Sequence, residues 1–205
     1  MRFLAMVLTL LFTCSPVFAF QNEPDGFQGL KFNSSFEEVK SSELLRDKYY
    51  AGGEKDPKAY DYDLDLDDTY GVCLYEYYFE LDEPTQSLHG VPFNVLFTNF
   101  YKDKLYSIIV CLGPRKVRTE DDKKLNMFYF RELQRNFTEL YGPPTSTYPE
   151  ELEANDSYTD LFWEGDKAII RLRWTYDFPQ LTITSVPLRN EIKDAIYKQA
   201  STEVN

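Results

Sequence analysis

Hydrophobic and polar residues alternate between Tyr60 and Asp67, where every second residue is an aspartate. Successive side chains of a β-strand point to opposite faces, so this period of two predicts a half-buried strand. Polar turns at 102–104 and 164–167 predict two hairpins, and 51–58 and 145–157 are predicted as loops. Further strands are predicted over 29–32, 70–81, 91–101, 105–112, 160–163, 168–174 and 181–186.

Three segments have the apolar spacing of a helix. The first is predicted from Phe36 to about Arg46, with Ser34 or Ser35 as its cap, and the last covers 191–199. The longest begins after Thr119 and is stopped by Gly142-Pro143-Pro144. Its expected buried stripe is Leu125, Tyr129, Leu133, Phe137 and Leu140 or Tyr141.

The order of these elements predicts the fold class. Sequential strands joined by hairpin turns form antiparallel sheets, which helices can cover. We therefore expect an α+β fold, an antiparallel sheet with helices packed on one face. Residues 20–205 are expected to form one domain, and its two runs of helix followed by strands suggest related helix-then-meander modules over 27–113 and 119–190.

The first nineteen residues have the layout of a secretory signal peptide. Arg2 is followed by an apolar run over 3–12, and small residues at Val17 and Ala19 precede a cleavage point after Ala19. The apolar run is shorter than the roughly 20 residues that a membrane-spanning helix needs. We therefore expect a periplasmic or secreted mature chain with no transmembrane segment.

Composition indicates a folded, acidic protein. Of its residues, 43% are hydrophobic, which is enough to build a core. The formal net charge is −12, and it becomes −13 if residues 1–19 are removed, because Arg2 is their only charged residue. Such a charge opposes binding to nucleic acid or to anionic lipid, so neither is expected as a partner.

The cysteines leave two interpretations open. Cys14 falls within the predicted signal peptide, and the bulky Phe12 and Thr13 before it argue against a lipid anchor there. Cys73 and Cys111 would remain in the mature chain. In an oxidising compartment they either form a disulfide or stay as buried thiols that pack as small hydrophobic groups.

The first candidate site is the row of aspartates Asp61, Asp63, Asp65 and Asp67. A calcium loop of the EF-hand type needs a glycine at its sixth position and a glutamate at its twelfth. Counted from Asp65, the sixth residue is Tyr70, and Gly71 comes one position too late. We favour a strand with a solvent-facing row of aspartates, and a looser calcium site stays as the alternative.

The chain has no recognisable catalytic constellation. His89 is the only histidine, and no Gly-x-Ser-x-Gly sequence is present to suggest a serine nucleophile. The carboxylates of Asp160, Glu164 and Asp166 lie near an aromatic strand, but a role in a hairpin turn is favoured. We therefore predict a protein that is not an enzyme and uses no cofactor.

Strand residues supply the candidates for binding, which are Tyr75, Tyr77, Tyr78, Trp163, Arg171 and Arg173. Aromatic side chains on a sheet either anchor a partner or fill the core, and we expect most of them to be buried. Arg171 and Arg173 point away from their apolar neighbours on the strand. They could pair with the acidic surface or with a partner's carboxylate, and ordinary surface charge is the favoured interpretation.

Motifs run through most of the mature chain. They are Phe27-Gln28-Gly29-Leu30-Lys31-Phe32-Asn33-Ser34-Ser35 with Glu38-Val39, then Phe100-Tyr101-Lys102-Asp103-Lys104-Leu105-Tyr106-Ser107-Ile108, then Leu140-Tyr141-Gly142-Pro143-Pro144-Thr145, and Trp163 before a strand. Together they resemble small secreted bacterial proteins of unknown function, in which a glycine is usual at the position of Asn33. The helix-then-meander plan is more distantly similar to β-lactamase-inhibitor-like proteins and to small outer-membrane assembly lipoproteins.

The resemblance implies a location in the bacterial envelope and a binding role through a sheet face or edge, without a catalytic centre. Our leading hypothesis is therefore a non-catalytic module that binds another envelope protein. The alternative is a domain that binds calcium or a small ligand through the strand from Asp61 to Asp67.

Overall fold

A computed structural model describes residues 20, 22–55, 72–81, 86–113, 119–148, 158–175 and 178–203. The predicted signal peptide and the aspartate-rich strand lie outside these residues. The strands are β1 (Gly26–Phe27), β2 (Leu30–Lys31), β3 (Tyr49–Glu54), β4 (Leu74–Glu80), β5 (Ser87–Leu88), β6 (Val91–Tyr101), β7 (Lys104–Leu112), β8 (Ser146–Tyr148), β9 (Tyr158–Glu164), β10 (Ala168–Thr175) and β11 (Phe178–Ser185). The helices are α1 (Phe36–Lys40), α2 (Glu120–Tyr141) and α3 (Val186–Glu203).

One large antiparallel sheet dominates the fold, which confirms the predicted α+β class. Its strand order is β3-β4-β6-β7-β11-β10-β9-β8, and β5 pairs with β6 outside this path. The strands before α2 occupy one side of the sheet and those after it occupy the other. Pairing of β7 with β11 joins the two sides. The hypothesis of two related modules stays a prediction.

Capping boxes start the first two helices. Ser35 accepts a hydrogen bond from the backbone of Glu38, whose side chain accepts one from the backbone of Ser35. Thr119 and Asp122 make the same reciprocal pair at the start of α2. Such caps satisfy N–H groups that the helix leaves unpaired. Helix α1 ends at Lys40, earlier than the predicted Arg46.

The buried stripe of α2 matches the predicted one in its second half and differs by one position in its first half. Its buried residues are Asn126, Phe130, Leu133 and Phe137. Leu125 is 42% exposed, and of the predicted alternatives Leu140 and Tyr141 it is Tyr141 that packs against the core. Neighbouring stripes on this helix are both partly apolar, so spacing alone did not distinguish them.

The helices divide between the two faces of the sheet. Helices α1 and α2 lie on the face that carries the main core, where Phe137 packs edge-on against Trp163 and Phe130 against Trp174. Helix α3 packs instead on a second cluster, whose buried members are Val72, Leu74, Tyr101, Tyr106, Leu188, Ile192 and Ile196. Leu74 alternates with Tyr75, which packs against the main core, so α3 lies on the opposite face.

Two predicted loops contain edge strands. Strand β3 occupies the first half of the segment predicted as a loop over 51–58, and β8 lies at the start of the one predicted over 145–157. The last helix is longer than predicted, because it begins directly after β11. None of the described helices combines the length and the apolar composition needed to cross a bilayer.

The two cysteines of the predicted mature chain are free thiols, so the candidate disulfide is not formed. Cys111 pairs with Val95 on β6, whereas Leu74, which follows Cys73, pairs with Tyr101. Six residues of strand separate these positions, about 20 Å at roughly 3.4 Å per residue. A disulfide needs Cα atoms about 4.4–6.8 Å apart. The alternative of buried thiols is wrong for Cys73, which is exposed.

The first described residues are attached to a distant hairpin. Phe20 is 6% exposed and packs edge-on against Tyr141. The Glu23 carboxylate accepts three backbone hydrogen bonds of 2.5–3.2 Å, from Asp166, Lys167 and Ala168. Glu23 therefore closes the turn between β9 and β10.

Candidate binding face of the sheet

The candidate site lies on the sheet face opposite α1 and α2, which we call the open face. Strand register places two rows of side chains across it. The first row is Tyr78, Phe97, Ile109, Thr182, Arg171 and Phe162. The second row is Glu80, Val95, Cys111, Gln180, Arg173 and Asp160. Helix α3 packs against neither row, because its cluster lies towards the Leu74 end of this face.

An apolar cavity of about 220 Å³ opens on this face. The side chains that form most of its wall are Tyr78, Val95, Phe97, Cys111 and Phe178. Tyr78 and Phe97 sit directly opposite each other on paired strands, with ring centroids 5.5 Å apart. Their rings remain half-buried, so the cavity is a recess that a ligand can reach from solvent.

A charged cluster lies on the same face, two strands from Cys111. Asp160 is buried, with its side chain 1% exposed, between Arg171 at 18% and Arg173 at 12%. Arg173 donates from Nε to Asp160 at 2.9 Å, and Arg171 donates from Nη2 to the same carboxylate. Both arginines also donate to the Tyr158 hydroxyl at 3.0 Å, and that hydroxyl donates to Asp160.

Burial controls the protonation of the two acids in the cluster. Burial raises the pKa of Tyr158, and its hydrogen bond to Asp160 raises that pKa further, so the phenol stays neutral. Burial also raises the pKa of Asp160, although hydrogen bonds with Tyr158 and Arg173 oppose this effect. Asp160 is the carboxylate that both guanidinium groups share, on a chain of net charge −12.

Arg171 is incompletely hydrogen-bonded. Its Nε is buried and has no partner in the part of the chain that the structure describes. Both hydrogen bonds that Arg171 makes leave from Nη2. A guanidinium carries five N–H donors, so most of the donors of Arg171 are unused.

Arg171, Arg173 and Tyr78 are the predicted binding residues that the structure brings to the open face. Tyr75 and Tyr77 point to the other face, where Tyr77 stacks on Phe36 with ring centroids 4.0 Å apart. Trp163 is fully buried and donates to the Gly142 carbonyl at 2.9 Å. The candidate calcium ligands Asp61, Asp63, Asp65 and Asp67 lie outside the described residues, and that hypothesis stays a prediction.

Several residues of the face were not identified from sequence. Asp160 lies on a strand, within the predicted span 160–163, but it pairs with Arg173, so its favoured role in the hairpin turn is wrong. Phe178 was not recognised as a neighbour of Phe97 and Cys111, because β11 joins β6 and β7 only through the pairing of β7 with β11. The register of the β9–β10 hairpin could have shown that Asp160 faces Arg173.

A second cavity, of about 230 Å³, lies between α3 and the ends of β4 and β6. Lys102 on its wall is already paired with Glu191 at 3.1 Å. The lysine of this cavity therefore has its own carboxylate, whereas the two arginines of the open face share one. No group of three or more histidine, cysteine, aspartate or glutamate side chains suited to a metal occurs among the described residues.

Comparison with known proteins gave no match to a family model, to a curated protein or to a solved structure. The functional assignment therefore depends on the chemistry of the open face.

Proposed function

We propose that this protein is an exported, non-catalytic binding module of the bacterial cell envelope, which holds another envelope protein on its open face. The observation that carries this proposal is the apolar cavity between Tyr78, Phe97 and Phe178, on a part of the sheet that the core clusters of the described helices do not include. The layout of the first nineteen residues and the resemblance to small secreted bacterial proteins support the location.

The size and walls of the cavity suit one side chain of a protein partner. An apolar cavity of about 150 Å³ can hold a benzene ring, so 220 Å³ accommodates one aromatic or branched aliphatic side chain. Aromatic walls such as Tyr78 and Phe97 are typical of the few residues that dominate binding energy at interfaces. A partner that inserts such an anchor would cover the open face.

The test is capture of a partner with matched variants. The mature chain, starting at Phe20, is immobilised and exposed to an envelope extract of its host, and retained proteins are identified by mass spectrometry. Tyr78→Ala and Phe97→Ala should each weaken binding of the retained protein by about thirtyfold, the size expected for an anchor residue. Phe128→Ala is the control, because Phe128 is 56% exposed on α2, away from the open face.

Circular dichroism would first show that each variant is folded. Capture of one protein that both open-face variants lose and Phe128→Ala keeps would support the proposal. Equal losses in all three variants, or a folded bait that retains nothing, would contradict it.

A further inference from the structure

We infer that Arg171 is the donor of a carboxylate-binding subsite, which takes an acidic side chain of the protein held on the open face. The inference rests on the proposed function for the source of the carboxylate, whereas the subsite itself depends only on the charged cluster. It adds a second requirement for the partner segment, an acidic residue as well as an apolar anchor.

The charge of the cluster favours an anion. Arg171 shares the carboxylate of Asp160 with Arg173, and Tyr158 is neutral. A partly buried positive charge is costly unless it is paired, so a carboxylate on the unused side of Arg171 would complete its pairing. Arginine suits this ligand, because each N–H of its charged guanidinium can donate a strong, charge-assisted hydrogen bond to a carboxylate oxygen.

The unused donors of Arg171 show where the carboxylate would bind. Nη2 is occupied by Tyr158 and Asp160, and Nε is buried. Nη1 makes no hydrogen bond within the described residues, and the Arg171 side chain as a whole is 18% exposed. Nη1 is therefore the group that an incoming carboxylate reaches.

Aromatic rings hold the two guanidinium groups in place. Arg171 lies over the Phe162 ring at 5.2 Å, and Arg173 lies over the Tyr158 ring at the same distance. Both contacts are of the cation–π type. A donor that is already fixed loses little conformational freedom on binding, which favours recognition.

The distance to the cavity sets the spacing of the partner's residues. Arg171 lies two strands and two residues away from Cys111 in the cavity wall, which is about 12 Å at usual sheet dimensions. An extended segment covers this distance in about three to four residues at roughly 3.4 Å each. The recognised segment would carry its acidic and apolar residues at that separation.

Titration with sodium acetate tests the subsite without a partner. The Nε–H resonances of the arginines are followed by NMR while acetate replaces chloride at constant ionic strength. The Arg171 signal should shift and saturate with acetate and stay unchanged in a chloride titration. Arg171→Gln should weaken acetate binding by about tenfold or more, the loss expected for a charge-assisted hydrogen bond, as read from the Arg173 signal.

Two further variants separate the role of Arg171 from general charge. Arg171→Lys keeps the charge but removes the planar donors, and it should also weaken acetate binding. Arg135→Gln on α2 is the control, since Arg135 is 61% exposed and pairs with Glu132, and its binding should equal that of the wild type.

Each result of the titration decides the inference. Equal shifts with acetate and chloride, or unchanged acetate binding in Arg171→Gln, would overturn the subsite while leaving capture through the cavity unaffected. Saturable acetate binding that Arg171→Gln removes would support the subsite. If the capture experiment failed despite that binding, the subsite would still be supported and the protein-binding role would be contradicted.

Discussion

Asp160 is the residue whose removal should most affect the charged cluster. In Asp160→Asn, Arg171 and Arg173 would keep their charges in partly buried positions without a carboxylate between them. Breaking such a pair from one side usually costs several kcal/mol, and we expect the free energy of unfolding to fall by about 3 kcal/mol. Urea denaturation measures this loss.

The control for Asp160→Asn is Glu132→Gln, which removes an ion pair of α2 whose arginine is 61% exposed. It should change the free energy of unfolding by less than about 0.5 kcal/mol, because exposed pairs contribute little. Similar effects of the two substitutions would show that the Asp160 cluster does not stabilise the fold.

Tyr158 should make stability sensitive to alkaline pH. Its pKa is raised above 10.0 by burial and by Asp160, so the folded state holds the phenolic proton more tightly than the unfolded chain does. This contribution to stability is complete below pH 10.0 and is lost as the pH rises towards the folded-state pKa. The difference in unfolding free energy between wild type and Tyr158→Phe should therefore shrink above pH 10, as measured by urea denaturation at each pH. A difference independent of pH would contradict the assignment.

The free thiols lead to a prediction about redox conditions. Because Cys73 and Cys111 are not joined by a disulfide, the melting temperature should be the same with and without reductant. Cys73→Ser should lack the loss of about 2–5 kcal/mol that removal of a native disulfide brings. A thiol assay of the unfolded mature chain should count two groups. A count of zero would establish the disulfide instead.

At the scale of elements, α2 shows what the apolar pattern could and could not predict. The cap at Thr119 and the stop at Gly142 were both predicted from the sequence and are confirmed. Leu133 and Phe137 of the predicted stripe are buried, but its first half was predicted one position away, because Leu125 and Tyr129 have the same spacing as Asn126 and Phe130. Which stripe is buried depends on the sheet beneath the helix, and local spacing does not contain that information.

The two stripes of α2 can be compared directly by substitution. Phe130→Ala should lower the free energy of unfolding by about 3 kcal/mol, because Phe130 is buried only in the observed stripe and its loss leaves a cavity. Leu125→Ala should change it by less than about 0.5 kcal/mol, since Leu125 is 42% exposed. Thermal or urea unfolding of the pair checks the assignment. Reversed effects would favour the predicted stripe.

Strands were predicted well where they are apolar and joined by short turns, as in the hairpin of β6 and β7. Strand β3 was missed because Ala51-Gly52-Gly53 has little preference for a strand and is held by pairing with β4. Edge strands of this kind are determined by their neighbours more than by their own residues.

At the scale of the whole molecule, the candidate site could be predicted only in part. The sequence identified Arg171 and Arg173 as residues that point away from the core, and the structure confirms this. The open face itself depends on the pairing of β7 with β11 and on which face α2 covers. Both are contacts between residues far apart in the chain, so the cavity beside the arginines could not be derived from local pattern.

The attachment of Phe20 and Glu23 has a consequence for the order in which the fold can assemble. Their partners, Tyr141 and the turn at 165–168, come more than a hundred residues later in the chain. A chain emerges from a ribosome or a translocation channel with its N-terminus first. Phe20 and Glu23 therefore cannot make these contacts until most of the chain has emerged. Contacts between residues so far apart in sequence require closure of a long loop. Because loop closure costs conformational entropy before the contacts form, it slows folding. The final step of assembly would then join the earliest residues of the domain to one of its last hairpins.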